Sequence, residues 1–484
     1  MKTVILYLLA LLVFGAGIFV TLEQGRKLGA PAAPAAPAAR VPAPAANPGE
    51  LPGVEPSSSL LANLHDNLQD PLPRLFLQLI VIILAARLAG ALAVKIHQPA
   101  VIGEMIAGIL LGPSLLGWCS PAAFHFIFPA TSLGSLRLFS QIGVCLFMFV
   151  VGMELDLTEL KQQARTAVLV SQVSILFPYL LGVVAALFLY SSLAGAGTTF
   201  TVFALFIGIS LSLTAFPVLA RILQERGLTQ TALGTTAIAC AATGDVAAWS
   251  ILAVVVAIAK AQSMAATAFT IGLVVFFVVF MLFGIRPRLP QWMEHVSRRS
   301  GTAGRGVMAM AMIVLFVSAL ATDAMGIHAL FGSFLAGLVM PSRGELREFL
   351  RLRLEHFSAV FLLPLFFAFT GLRTQVGLLN DTTGWLLCLG LVALATVGKL
   401  GGTMVTARLT GVNWIDSFSL GALMNTRGLV ELIALNIGYD LGILSPRIFA
   451  MLVIMALVTT CMTGPLLSLG DHLRARKSLV TQPV

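Results

Sequence analysis

Charged side chains make up only 11% of the 484 residues, less than half of the roughly 25% usual in a soluble domain. Together with 58% apolar residues and a mean hydropathy of +0.95, that shortage excludes a soluble globular chain and points to an integral membrane protein. Cysteine is sparse as well. Cys119, Cys145, Cys240, Cys388 and Cys461 lie far apart and mostly within apolar runs, which excludes a disulfide scaffold and a zinc-ligand spacing. No P-loop, HExxH or GxSxG string is present, and the seven histidines are scattered. The common signatures of nucleotide-driven pumps and hydrolases are therefore missing. Subtracting 21 acidic from 30 basic residues leaves +9. In a membrane chain this excess reads as a topology signal, and no nucleic-acid partner is expected.

An apolar stretch over 4–22, behind Lys2, reads as either a signal peptide or an extra anchor helix within residues 1–30. Residues 31–70 follow as an Ala/Pro-rich extended linker that cannot bury a core. The membrane domain is expected over 71–470, with a short tail at 471–484. Thirteen segments approach the ~20 residues needed to span a bilayer: 73–94, 99–117, 134–152, 166–190, 199–224, 232–259, 264–285, 306–325, 327–341, 357–373, 383–408, 416–439 and 446–470. With that count, alternate loops and the C-terminal tail collect Lys95, Lys161, Arg165, Arg221, Arg226, Arg286, Arg298, Arg305, Arg347, Arg351, Arg408 and Arg474. The opposite loops carry little beyond Arg74, Arg137, Lys260, Arg373 and Arg447. The positive-inside rule then puts the C-terminus in the cytoplasm and the Ala/Pro-rich linker outside it.

Residues 152–173 and 371–392 echo each other: each is a Gly-rich helix end, a polar turn and a new apolar helix. Each is followed by a segment holding helix breakers, SLTAFPVLAR at 212–221 and LMNTRGLVEL at 423–432. These fall in the fifth and twelfth segments, so the second copy crosses in the opposite sense. Paired broken helices in inverted repeats mark a midplane site in secondary transporters. Pro217 and Thr214 lie at the first break, and Asn425, Thr426 and Gly428 at the second. Carbonyls freed there, with the Thr214 hydroxyl, suit a dehydrated monovalent cation.

A charge in mid-span costs about 2.5–3.5 kcal/mol even on the lenient insertion scale. Few are present, and each needs a reason. Asp245 lies mid-way along ACAATGDVAAWSILAVVVA with no basic residue near it in sequence. Lys399 sits at comparable depth in the eleventh segment, and Arg427 and Glu431 lie four residues apart in the twelfth. Glu104 is a further acid, close to the start of its helix, where a packing role competes with a functional one. A carboxylate in such surroundings can alternate between a proton and a metal ion, which is the chemistry of exchange.

The strings QPAVIGEMIAGILLGPSLLG, LFMFVVGMELDL, SLTAFPVLARILQERGL, ACAATGDVAAW, GIHALFGSFLAGLVMP, LLPLFFAFTGLRTQVGLL and LMNTRGLVELIALNIG together resemble the monovalent cation/proton antiporter-2 family, over about residues 71–470. The resemblance implies an all-α polytopic fold of about thirteen transmembrane helices, with two crossed discontinuous helices in a six-helix core and a separate dimerisation domain. It implies Asp245 as the ion- and proton-binding carboxylate and Lys399 as the core lysine facing it, with Thr214 as an ion-side group. Thr243 is included as a candidate because relatives usually carry aspartate or asparagine just before the acid, where this chain has Gly244. An aspartate pair goes with electrogenic exchange and a single acid with one-for-one exchange.

The expectation is a Na⁺ or K⁺/proton antiporter working by alternating access, electroneutral, homodimeric and resident in a bacterial inner membrane, with no cofactor. A channel-like K⁺ efflux protein and a non-transporting membrane partner are the alternatives. A membrane-embedded enzyme is disfavoured, because no nucleophile, second acid or metal cluster accompanies Asp245.

Overall fold

A computed structural model describes residues 2–29, 67, 70–154, 164–260, 264–299, 303–341 and 345–480. Most of the Ala/Pro-rich linker and the polar turn of the first echo, 155–163, lie outside the described residues. Those that are described are helical apart from loops and one backbone bridge between Ala194 and Leu444. Apart from two short helices, Leu116–Cys119 and Pro121–Ile127, the helices are α1 (Lys2–Gly25), α2 (Pro71–Lys95), α3 (Ala100–Leu111), α4 (Leu133–Glu154), α5 (Ala164–Leu193), α6 (Phe200–Ser212), α7 (Phe216–Glu225), α8 (Ala232–Lys260) and α9 (Met264–Val279). They continue as α10 (Leu289–Arg299), α11 (Ala303–Ala324), α12 (Ala329–Leu338), α13 (Glu345–Phe357), α14 (Leu363–Arg373), α15 (Thr382–Thr396), α16 (Gly402–Leu409), α17 (Trp414–Met424), α18 (Leu429–Asp440) and α19 (Pro446–Val480). Single π-helical turns join α13 to α14 and α15 to α16.

Among the described residues twelve helices are long and apolar enough to cross a bilayer, and the bent pair α17–α18 makes a thirteenth. This set is not quite the one read from the sequence. It includes the N-terminal helix and leaves out the segment 327–341. That stretch is helical only over the ten residues of α12, a rise of about 15 Å against a bilayer core of ~30 Å, yet it leads from His328, beside Asp440, to the face where Arg347 donates to the Met153 carbonyl. The reason is local: Gly326 takes a left-handed φ of 83° and His328 is extended, its ring accepting the Leu330 N–H, so the helix starts late. The N-terminal segment is a helix seated on the rest of the molecule, with Phe14 packed on Phe177 and Thr21 buried.

Packing divides the helices into two groups. One is a core of α5, α6–α7, α8, α15–α16, α17–α18 and α19. The other gathers α2, α3, α4, α11, α12 and α14. Within the second group, backbones meet directly. A Cβ on Gly371 of α14 would lie 2.0 Å from the Gly108 carbonyl of α3, and one on Gly337 of α12 would lie 2.0 Å from the Phe149 carbonyl of α4. Only glycine permits such crossings.

Outward faces are apolar, as lipid requires. On α2, Leu72, Phe76, Ile80, Leu84, Leu88 and Leu92 recur every fourth residue and are exposed, whereas Ile82, Ala86 and Ala93 are buried.

Candidate ion site at two crossed helix breaks

The first break is Leu213–Thr214–Ala215, between α6 and α7. Leu213 and Ala215 are extended, with φ/ψ of −64/141° and −87/92°. Pro217 falls in the first turn of α7, where a missing N–H costs nothing and the fixed φ suits a helix start. Its ring would clash with the carbonyl four residues earlier, that of Leu213. The proline therefore sets where the break lies, and the freed groups lie upstream of it.

The second break is Asn425–Thr426–Arg427–Gly428, between α17 and α18, which meet at 43°. Gly428 has φ 146° and ψ −129°, a conformation closed to residues with a side chain. The two breaks cross and bond to each other. The Thr214 hydroxyl donates to the Met424 carbonyl at 3.0 Å, and the Ala215 N–H donates to the Thr426 carbonyl at 3.0 Å.

The charges gather around this crossing. Lys399, in the π-helical turn between α15 and α16, is fully buried and donates to Thr214 Oγ1 at 2.6 Å and to Ser174 Oγ of α5 at 3.5 Å. Such turns widen a helix at functional positions. Arg427 is fully buried and donates to the carbonyls of Ser210 at 2.7 Å and Leu211 at 2.6 Å, the last turn of α6. It thereby satisfies carbonyls that the end of a half-helix leaves orphaned and meets the negative pole of that helix. It also pairs with Glu431 at 3.0 Å. The pair anticipated from the four-residue spacing forms, but with Arg427 in the break and Glu431 in the first turn of α18. Its backbone N–H donates to Thr460 Oγ1, and Thr426 Oγ1 lies 3.2 Å from Thr463 Oγ1, both threonines on α19.

Asp245 is fully buried in the middle of α8, and neither carboxylate oxygen has a hydrogen-bond partner. Lys399 acts on it through space, and the backbone N–H of Phe216, the first residue of α7, is directed at it as a weak hydrogen-bond donor. Asn425 is likewise buried with both amide atoms unpartnered. The carboxylate of Asp245 and the carboxamide of Asn425, in the second break, thus keep unused bonding capacity around the crossing, while the other polar groups of the breaks are bonded to one another or to α19. That donor set fits a monovalent cation or a proton.

Two of the sequence candidates lie apart from this cluster. Thr243 turns its hydroxyl back onto its own helix, donating to the Ala239 carbonyl at 2.8 Å. Glu104 is buried against Arg87 of α2 at 3.7 Å. Residues the sequence did not flag include Ser171 and Ser174, small polar residues in an apolar helix whose three-residue spacing was the available signal. Thr460 and Thr463 share that spacing.

A cavity of about 1100 Å³ leads toward the crossing from one face. Its rim carries Arg221, Arg347, Arg351 and Glu355, its wall includes Phe147 and Val151 of α4, and its floor is formed by Phe216, Pro217 and Leu429. On the opposite face Asp440, the last residue of α18, is held by Arg373 of α14 at 2.8 Å and by Arg137 of α4 at 3.4 Å.

Broken, crossed helices around a buried carboxylate and lysine define a secondary-transporter architecture. The chain belongs to the family described as sodium/hydrogen exchanger, transmembrane, which matches residues 80–469 and takes in most of the strings on which the resemblance rested. It is 44% identical over 393 residues to the Na⁺/H⁺ antiporter NhaS4 of Synechocystis sp., covering 80% of this chain and 95% of that protein. It is 39% identical to cation/H⁺ antiporter 20 of Arabidopsis thaliana over 86% of this chain, and 33% identical to K⁺/H⁺ antiporter 1 of Saccharomyces cerevisiae over 90% of it. The chain spans about half the length of these last two, 51% and 50%. Among solved structures, the sodium/proton antiporter MjNhaP1 of Methanocaldococcus jannaschii superposes with a TM-score of 0.56 at 14% identity, covering 81% of this chain and 96% of that one. This likeness establishes the shared fold.

Proposed function

We propose that this chain exchanges a monovalent cation, Na⁺ or K⁺, for protons across the bilayer, with Asp245 binding each in turn. The observation that carries the reading is the buried Asp245 carboxylate, unpartnered at the crossing of two broken helices and faced by Lys399. The names of the relatives support the same class of cargo. A single carboxylate holds one cation or one proton, so each crossing carries the same charge and the exchange is one-for-one and electroneutral. Lys399 and Arg427 act as fixed counter-charges, and Thr214, Asn425 and Thr426 frame the ion's position.

Alternating access is part of the proposal. The wide cavity on one side of α4 and the Arg137–Asp440–Arg373 clamp at its other end support a state open to one face and closed to the other. We assign the open, arginine-rimmed side to the cytoplasm. Gly25, at the end of α1, packs on the Phe200 ring at the start of α6, away from that rim. This supports α1 as a retained anchor whose Lys2 end faces the cytoplasm and whose following linker lies outside. The reading also includes a homodimer in a bacterial inner membrane.

The test is cation-triggered pH change inside sealed proteoliposomes, with Na⁺, K⁺ and Li⁺ added separately and voltage clamped or free. The wild type is expected to move protons in response to at least one cation, insensitively to voltage. Asp245→Asn is expected to abolish the response while folding normally. Equal flux in the two proteins, or no flux in the wild type at any pH, would overturn the assignment.

A further inference from the structure

Buried hydroxyls in these helices fall into two kinds. Ser210, Ser212, Thr406, Thr459 and Thr460 return their protons to the carbonyl one turn earlier, the usual resort of a hydroxyl in an apolar helix. Ser171 of α5, like Ser358, Thr396 and Thr403, does not: it is fully buried and its oxygen has no hydrogen-bond partner, and of the four it is the one beside the helix of the carboxylate. Leaving a buried polar group unsatisfied costs about 1–3 kcal/mol, so its position calls for a ligand.

That position is specific. A Cβ built on Gly244 would lie 3.4 Å from Ser171 Oγ and 3.8 Å from Ile175 Cδ1, with no further atom within 4 Å apart from its chain neighbours and the backbone of its own helix. The hydroxyl therefore faces Gly244 on α8, the residue before Asp245, whose carboxylate oxygens leave the helix about 100° further round and lack a side-chain hydrogen-bond partner. One turn further along the same face of α5, Ser174 receives the Lys399 ammonium. Helix α5 thus offers one serine to the helix of the carboxylate and one to the counter-charge.

We propose that Ser171 is a cation-binding residue of this exchanger. Its hydroxyl oxygen, in the room left by the missing side chain at Gly244, is the second side-chain oxygen the ion meets beside the Asp245 carboxylate, and it sets the affinity for the cation. A hydroxyl suits both cargoes, because its lone pairs can bind a metal ion or accept the proton of a protonated carboxyl group. The proposal rests on the exchange reading above and deepens it.

The experiment compares wild type, Ser171→Ala, Ser171→Thr and Asp245→Asn as full chains. Two readouts are taken: cation dependence of proton flux in proteoliposomes, and cation-induced thermal stabilisation in detergent with Na⁺, K⁺ and Li⁺ chlorides as probes. Ser171→Ala is expected to raise the cation KM by about tenfold or more with kcat nearly kept, and to shift the stabilisation to correspondingly higher cation concentration. Ser171→Thr, which keeps the hydroxyl, is expected to retain the wild-type KM. A Ser171→Ala protein with unchanged KM and unchanged cation stabilisation would overturn the proposal, as would a loss of kcat at constant KM, the mark of a merely structural serine. Loss of the wild-type flux itself would refute the exchange reading instead, and the stabilisation readout would still decide whether Ser171 binds the cation.

Discussion

The two breaks at the centre of the core perform the same topological task with opposite chemistry. The first, Leu213–Ala215, brings no charge of its own, and its polar groups are met by the partner break through Thr214 and Ala215. The second carries Arg427, which reaches across to the carbonyls closing α6 and also holds Glu431. One broken helix is thus neutralised by the other. The inverted repeat is symmetric in path but not in electrostatics: one arm carries a buried ion pair and the other none, and the cation that faces Asp245 is Lys399, from the turn between α15 and α16.

The largest effect on this asymmetry should come from removing the shared cation. Arg427→Leu strands the buried Glu431 and frees the Ser210 and Leu211 carbonyls, so a loss of about 3–5 kcal/mol is expected, read as a large fall in melting temperature in detergent. The double variant Arg427→Leu with Glu431→Gln should recover part of it. Full recovery would show that the carbonyl contacts contribute little.

Next in size is Gly428→Ala. It forces a side chain into φ 146° with Val218 Cγ2 3.1 Å away, and strain of about 1–3 kcal/mol is expected. A wild-type melting temperature for this variant would mean that the second break relaxes freely. The smallest change is predicted at the first break: Pro217→Ala should shift stability by less than about 1 kcal/mol, since the proline occupies a first-turn position where its N–H is not needed. A large loss there would make the proline an obligate breaker and erase the contrast.

Much of this site was legible in the sequence, because a charge in an apolar run is rare and costly. Asp245, Lys399, Arg427 and Glu431 stood out for that reason, and the breaks were marked by Pro217 and Gly428. What the sequence could not display was reach. Arg427 caps α6 at Leu211, 216 residues earlier in the chain, and no local pattern encodes such a contact. Thr243 illustrates the converse, since proximity in sequence to Asp245 did not bring its hydroxyl to the site. The segment 327–341 joins the two faces with a helix of only ten residues, α12, because Gly326 and His328 delay its start, and hydropathy alone does not display that shortening. Ser171 was silent because a lone serine in an apolar helix ordinarily bonds to its own backbone.

The glycine crossings of the second helix group have a mechanical meaning. Where Gly371 meets Gly108 and Gly337 meets Phe149, backbone rests on backbone with no side chains between them. Helices that interlock through side chains can slide by swapping rotamers, but a seam of this kind has nothing to swap. The group is thereby one stiff plate, and the looser flank is the one where the open cavity lies between α4 and α7.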